Sequence, residues 1–495
     1  MSEELSKYQA AIIEFHEDED EQHGIAQAYA GSGKTFILRR CAEAIDDEER
    51  MFIGAFNKAI ADELNRKIRR ANTEISTLHS LGGKTLRNAW KRFRKNPRTH
   101  DDVDVVGRCI DEVLGKTFPA DAPGDVRKLV EKCMAFVADD NADKAYERVE
   151  DLMYRFECSP ADPSICSPDK YVEWTLKTLA KLREPSDHIC FGQMLYVPAY
   201  HKMKTGAYRR VFIDETQDMN RAQLTLARHA LHDYGRFFAV GDRKQAIYGW
   251  NGADASGMDK MKSLFNAKEF KLPISYRAPE AVAKLVRDTY IPDFEARPGA
   301  PDGLVKLVDV AFMRKTWAPG DMYISRKNAP LPKACLMALS DGIPAYIKGG
   351  RDITKHLFAL LKKSRQSGTA EFLKWLSEHV ERQLLLLSAA KQEKAMEDLL
   401  DTKATLVALA EDTEAVHEIE GRLNRLFADD SPGGRLMCAT AFKAKGLETE
   451  PGRAVWLDWP SFRDNTAEEC NIRYVAETRT QHALYMVVNK LGGGS

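Results

Sequence analysis

Two short stretches constrain this chain more than any other feature. Residues 28–35 read Ala-Tyr-Ala-Gly-Ser-Gly-Lys-Thr, and residues 211–218 read Val-Phe-Ile-Asp-Glu-Thr-Gln-Asp. The first is a strand end, a glycine turn and a helix start. Ala28 stands where the general pattern has Gly, and Gly31, Ser32 and Gly33 form the turn, whose backbone N–H groups can face phosphate oxygens. Lys34 can reach the β- and γ-phosphates, and the Thr35 hydroxyl suits Mg²⁺. The second stretch is an apolar strand ending in Asp214 and Glu215. A buried acidic pair at a strand end is costly unless a cation compensates it. Asp214 is placed to hold Mg²⁺ through water, and Glu215 to take a proton from an attacking water. Together the stretches imply a magnesium-dependent nucleoside triphosphatase. Gln217 narrows this toward a motor on nucleic acid.

At 495 residues the chain is long enough for several domains. Its 44% hydrophobic and 30% charged residues fit a soluble globular protein. No apolar run approaches the roughly 20 residues needed to span a bilayer, and the N-terminus lacks a signal pattern. The nine Cys contain no Cys-x-x-Cys pair, which argues for reduced thiols in a cytoplasm. The net charge of −1 means that any nucleic-acid site is a local patch. Residues 491–495, Leu-Gly-Gly-Gly-Ser, read as a linker or tag scar.

Strands expected at 24–29, 51–56, 210–214 and 237–242 alternate with helices at 35–45 and 57–70, which implies an α/β fold with parallel sheets. A second α/β unit begins near Leu272, with strands expected at 303–308, 322–325, 436–440 and 454–457. Residues 352–428 read as continuous amphipathic helix. The expected organisation is a first ATP-binding domain of residues 1–80 and 186–270, interrupted by a helical insertion at 81–185. A second domain of residues 271–351 and 429–490 is interrupted by the short insertion 352–428.

The ordered motifs resemble superfamily 1A helicases of the UvrD/Rep type, from Leu5 to Met486. Leu5-Ser-Lys-Tyr-Gln9 is similar to the Q motif, and residues 28–35 to motif I. Ala55-Phe-Asn-Lys-Ala59 resembles motif Ia, in a form also similar to the F-box DNA helicase branch, and Ile75-Ser-Thr-Leu-His-Ser80 resembles motif Ib. Residues 214–218 and 240–250 resemble motifs II and III. Residues 272–277, 439–448 and 474–479 resemble motifs IV, V and VI.

The resemblance implies two RecA-like domains with helical insertions, and it implies roles for named residues. Gln9 would read the adenine edge, Tyr276 would stack on adenine, and Glu448 would contact ribose. Gln245 would sense the γ-phosphate, while Arg277 and Arg479 would act on it as arginine fingers. Phe56, Tyr248 and Trp250 would stack on bases, with Phe442 in motif V also at the DNA. Asn57, Lys58, Thr77 and His79 would hold phosphates. Phe56 also reads as a core residue at a strand end, Asp218 as a helix N-cap, and each Arg as a surface ion pair. The stretch 84–98 carries seven basic residues and no acid, with Trp90 and Phe93 interleaved, and reads either as a solvated face or as a DNA contact. Phe36, Asn251 and Phe442 depart from the family pattern, where Arg, Arg and His are usual.

The residues and the resemblance together imply an ATP- and Mg²⁺-dependent translocase or helicase on single-stranded DNA, with 3′→5′ polarity resting on the resemblance. Single-strand/duplex junctions and replication or recombination proteins are its expected partners, in a cytoplasmic or nucleoid location, with a phage-encoded origin fitting the short insertion. A DNA-stimulated ATPase that strips bound proteins, and a nucleotide-gated DNA clamp, are the alternatives.

Overall fold

A computed structural model describes residues 4–18, 22–46, 48–90, 98–99, 104–115, 122–136, 142–160, 163–249, 256–349, 351–389, 392–428, 434–489 and 491. Trp250, Asn251, Phe93 and residues 492–495 lie outside the described residues. The chain divides into two compact units. One holds Met1–Tyr29 and Gly33–Leu272, and the other holds Ala30–Ser32 and Pro273–Ser495.

The first unit is built on a six-stranded parallel sheet. Its strands are β1 (Gly24–Ala28), β2 (Met51–Ala55), β3 (Thr73–Thr77), β6 (Tyr208–Ile213), β7 (Leu231–Gly241) and β8 (Lys268–Leu272), in the order β3-β2-β6-β7-β1-β8. A separate parallel pair joins β4 (Arg98–Thr99) to β5 (His188–Ile189). Every residue of β1 and β2 is buried, as expected when helices cover both faces of a parallel sheet. On one face the helices Lys7–Glu17 and Lys34–Ala44 bring Ile12, Ile37, Leu38 and Cys41 against Ala26, Ile53 and Val240. On the other, Leu78, Leu81 and Leu86 from the helix Leu78–Ala89 join Leu195 and Tyr196 from the helix Gln193–Tyr200 in one core with Val211 and Ala239. These two helices cross very closely. A Cβ at Gly82 would lie 1.8 Å from the Met194 carbonyl oxygen, so that position has room only for glycine.

Because all these strands run the same way, the segments that leave β1, β2, β3, β6 and β7 gather at one edge of the sheet. That edge is where ligands bind in open α/β sheets. The glycine loop, Phe56, Asp214 and Gln245 all follow these strands.

The second unit carries a seven-stranded parallel sheet. Its strands are β11 (Leu304–Val308), β12 (Met322–Ser325), β13 (Ala345–Lys348), β14 (Phe427–Ala428), β15 (Leu436–Thr440), β16 (Ala454–Asp458) and β17 (Ala483–Val487), in the order β11-β17-β16-β12-β15-β13-β14. Two short strands, β9 (Ile274–Ser275) and β10 (Glu295–Ala296), pair beside it in sequence. The α/β expectation holds in both units.

The continuous helix expected at 352–428 is instead four helices, Arg351–Ser364, Thr369–Ala389, Glu393–Ala410 and Val416–Leu426. Leu357, Leu361, Phe372, Leu376, Leu406 and Leu423 share a core that also holds Ile347 and Cys438 of the sheet. One straight helix could not return its apolar stripe to that core, so the chain reverses. Arg365 and Asp412, both at positive φ, lie at two of the breaks.

Candidate functional site

The glycine loop leaves β1 and enters the helix Lys34–Ala44 through Gly33. Gly31 and Gly33 have φ of +78° and +84°, a region that suits glycine and bends the backbone into a cradle. The Ser32 hydroxyl is buried without a hydrogen-bond partner. Gln9 is buried, and its side-chain nitrogen lies 3.9 Å from where a Gly33 Cβ would sit, so the amide stands beside the loop. Gln9 is held there by Ser6, whose backbone N donates to Gln9 Oε1 at 3.0 Å in a capping box.

Lys34 Nζ donates to Glu215 Oε2 at 2.7 Å. Burial works against the lysine charge, but Glu215, Asp214 and Asp242 outweigh it and raise the Lys34 pKa. Burial, together with the Glu215 charge, pushes the Asp214 carboxyl up to about 7, with Lys34 opposing. Three carboxyls thus crowd one ammonium. This donor set suits a divalent cation arriving with phosphates, which Asp214 and the Thr35 hydroxyl would hold. Among the described residues no group of three or more His, Cys, Asp or Glu is spaced to hold a metal alone. Glu215 also sits at φ 50°, an uncommon conformation for a non-glycine residue and one that concentrates at functional sites.

From Glu215 a chain of polar contacts leads across the sheet edge. Gln217 Nε2 donates to Glu215 Oε2 at 2.6 Å and stands 3.3 Å from Asp218 Oδ2. The Asp242 backbone N donates to Gln217 Oε1 at 2.9 Å. Gln245 Nε2 donates to Asp242 Oδ2 at 2.8 Å, and Gln27 Nε2 to Asp242 Oδ1 at 2.9 Å. Asp218 is not the N-cap of the following helix. Asn220 fills that position, its side chain accepting from Gln223 N, and Asp218 is buried in the preceding turn.

Asp218 and Tyr248 lie on the wall of a cleft of about 1050 Å³ that also takes in Phe56, Asn57, Lys58, Thr77 and His79. Phe56 and Tyr248 lie nearly parallel, their ring centroids 5.9 Å apart. Asn57 caps the helix Lys58–Lys67, accepting from Ile60 N at 2.9 Å, and Thr77 caps the helix Leu78–Ala89. Both helix N-termini therefore carry positive dipole ends at the cleft. The His79 ring stacks on Phe191, with centroids 3.8 Å apart. Burial lowers the His79 pKa to about 4, so the ring is neutral near pH 7. Sequence reasoning missed Phe191, which is half exposed and sits in a loop outside every motif. Within the basic stretch, Lys84 is paired to Glu74 at 2.7 Å and Trp90 is buried in the core, so Trp90 presents no face to a ligand. Phe36 lies under Arg39, whose guanidinium carbon is 5.5 Å from the ring centroid.

In the second unit Arg277 Nε donates to Glu448 Oε2 at 2.5 Å. The Tyr276 ring is exposed. Phe442 lies beneath Arg326, 5.0 Å from the guanidinium carbon. Arg479 is buried, donating to Val475 O at 2.7 Å and Leu447 O at 3.1 Å. Two residues before it, Glu477 is fully buried. Arg473 Nε stands 3.3 Å away without good hydrogen-bond geometry.

Residues 16–266 match the UvrD/REP helicase N-terminal domain. The chain is 22% identical over 305 residues to ATP-dependent DNA helicase PcrA of Staphylococcus epidermidis, covering 55% of this chain and 38% of that one. It is 26% identical over 272 residues to DNA helicase II of Rickettsia typhi, covering 51% and 40%. The chain thus spans about two fifths of the length of these relatives. No helix among the described residues is long and apolar enough to cross a membrane. With the family match extending over half of its length, the chain belongs to the UvrD/REP helicase family.

Proposed function

We propose that the protein is an ATP-driven motor on single-stranded DNA, translocating 3′→5′ and separating duplex at single-strand junctions. The observation that carries this reading is the polar chain from Lys34 through Glu215 and Gln217 to Asp218, on the wall of the aromatic cleft. It links a phosphate-binding loop to a surface suited to bases along one sheet edge. A change at the phosphates can then alter the grip on a strand.

In this reading the loop amides and Lys34 hold the β- and γ-phosphates, and Gln9 faces the adenine edge. Mg²⁺, when bound, neutralises phosphate charge. Glu215 orients a water and accepts its proton, which requires Lys34 to leave its carboxylate for the phosphate. Gln245, tied to Asp242, reports the state of the phosphates to Gln217. Phe56, Tyr248 and the neutral His79–Phe191 pair offer ring faces to bases, and such stacking tolerates any sequence. Asn57, Lys58 and Thr77 hold phosphates at two helix N-termini. For Tyr276, Arg277, Glu448, Arg479, Phe442 and Trp250 the assignment rests on motif position.

Strand displacement on matched 3′-tailed and 5′-tailed duplexes tests the reading. ATP-dependent unwinding of the 3′-tailed substrate alone supports it. Turnover that displaces a bound protein but never a strand would replace unwinding with protein stripping. Preference for the 5′ tail would reverse the polarity.

A further inference from the structure

The helix Leu78–Ala89 has a cavity on each side of Lys84. One is the aromatic cleft. The other, of about 560 Å³, is bordered by Arg50, Lys84, Asn88, Lys204 and Tyr208. Arg50 immediately precedes β2 and Tyr208 opens β6, so this second cavity lies at the N-terminal ends of the strands, away from the glycine loop. The cleft follows β3 from Thr77 down to Glu74, a distance of roughly 10 Å along the strand. Lys84 lines both the cleft and the second cavity.

The charge of this cavity is one-sided. Among the described residues Arg50, Lys84 and Lys204 line it, and no Asp or Glu does. Arg50 lies over the Tyr208 ring, 5.0 Å from its centroid, and has no carboxylate partner among the described residues. Lys204 makes no ion pair among them either. The nearby Glu74, which would repel phosphate, already accepts from Lys84 at 2.7 Å and from Tyr208 Oη at 2.8 Å. In a chain of net charge −1, the two cations left without a carboxylate among the described residues, Arg50 and Lys204, mark this concavity as a local anion site. The cavity is open to solvent, and its cations come from three separate places in the chain, before β2, on the helix Leu78–Ala89 and before β6. That arrangement suits the backbone of a polyanion more than a small anion.

We propose that this cavity is a second phosphate-binding station for a nucleic-acid single strand, taking the backbone that runs past Lys84 out of the aromatic cleft. The proposal rests on the single-strand reading of that cleft. Arg50 and Lys204 hold successive phosphates by charge, while Asn88 adds a neutral donor. The station carries no base specificity and lengthens the bound segment.

An oligo-dT length series on the full chain tests it, with the double variant Arg50→Gln/Lys204→Gln beside the wild type at several salt concentrations. The shortest oligonucleotide that fills the cleft should bind both proteins alike. Longer ones should bind the wild type more tightly, and the variant should lose that gain, by about tenfold or more near 0.1 M salt. Its log–log salt slope on long oligonucleotides should be shallower by about 1.4, because two fewer phosphates are neutralised. A variant with wild-type slope and length dependence overturns the station. So does an equal loss on the shortest oligonucleotide, which would place the effect in the fold or the cleft. A wild type that binds no oligo-dT at all would overturn the single-strand reading itself, and the station with it.

Discussion

Lys34 Nζ lies 2.7 Å from Glu215 Oε2, so the residue suited to hold phosphate and the residue suited to activate water neutralise one another in this structure. Nucleotide must compete with Glu215 for Lys34. Glu215→Gln removes that competitor and the proton acceptor together. ATP binding in this variant should be as tight as in the wild type or tighter, while single-turnover hydrolysis slows by about 10²–10⁴-fold. Normal hydrolysis would remove Glu215 from the base role. Lys34→Ala should instead cost about 10²–10³-fold in turnover through loss of phosphate stabilisation, with single-strand binding kept.

The His79–Phe191 pair predicts a readout at the cleft. Phe191→Ala should weaken oligo-dT binding by about 1–3 kcal/mol, because one stacking face is lost. Because burial holds the His79 pKa near 4, affinity between about pH 5.5 and 8 should show no step from this residue. Fluorescence titrations across that range would check both points. A step near 6.5 that disappears in His79→Asn would show a charged phosphate contact instead.

Glu477 predicts a pH dependence of stability. Burial pushes its carboxyl from 4.5 up to about 7, with Arg473 opposing. Its folded pKa is therefore above its unfolded one. The protonated form is favoured on folding, and stability is complete below about 4.5 and falls as pH rises through about 7. Glu477→Gln should unfold at nearly the same free energy as wild type at about pH 4.5 and be more stable at about pH 8, by on the order of 3 kcal/mol. Denaturant unfolding of both proteins at several pH values measures this. A difference that stays constant with pH would show that Glu477 does not titrate on folding.

Arg479 donates to two backbone carbonyls of its own unit. Arg479→Ala should therefore lower stability by about 1–3 kcal/mol, since buried acceptors lose their donor, besides any loss of turnover. Thermal unfolding separates the two effects. Full stability with lost turnover would assign Arg479 to chemistry alone.

The motif-bearing strands were legible because each is an apolar run that ends in polar, chemistry-bearing residues, as in β1 and β6. By contrast β3, Thr-Glu-Ile-Ser-Thr, and β8, Lys-Glu-Phe-Lys-Leu, are edge strands with few apolar residues, and each offers only a short alternation in place of an apolar run. The breaks within 352–428 were hidden because all four helices share one amphipathic composition, and only the shared core forces them to turn back. In the candidate site, Lys34, Asp214 and Glu215 could be named from the glycine loop and the acidic strand end, and Gln245 from the family resemblance. Phe191 could not, because its place on the cleft wall depends on a stacked partner more than a hundred residues earlier in the chain. The mutual neutralisation of Lys34 and Glu215, and the capping of the next helix by Asn220 instead of Asp218, likewise exist only in three dimensions.

Steady-state ATP hydrolysis with and without oligo-dT tests the coupling of the two sites most directly. The polar chain from Glu215 to the cleft predicts many turnovers per protein, stimulated by the single strand. The stimulation should be sharply reduced in Phe191→Ala, and turnover should nearly vanish in Lys34→Ala. Hydrolysis that ignores oligo-dT, or a single turnover that leaves nucleotide locked in place, would contradict it.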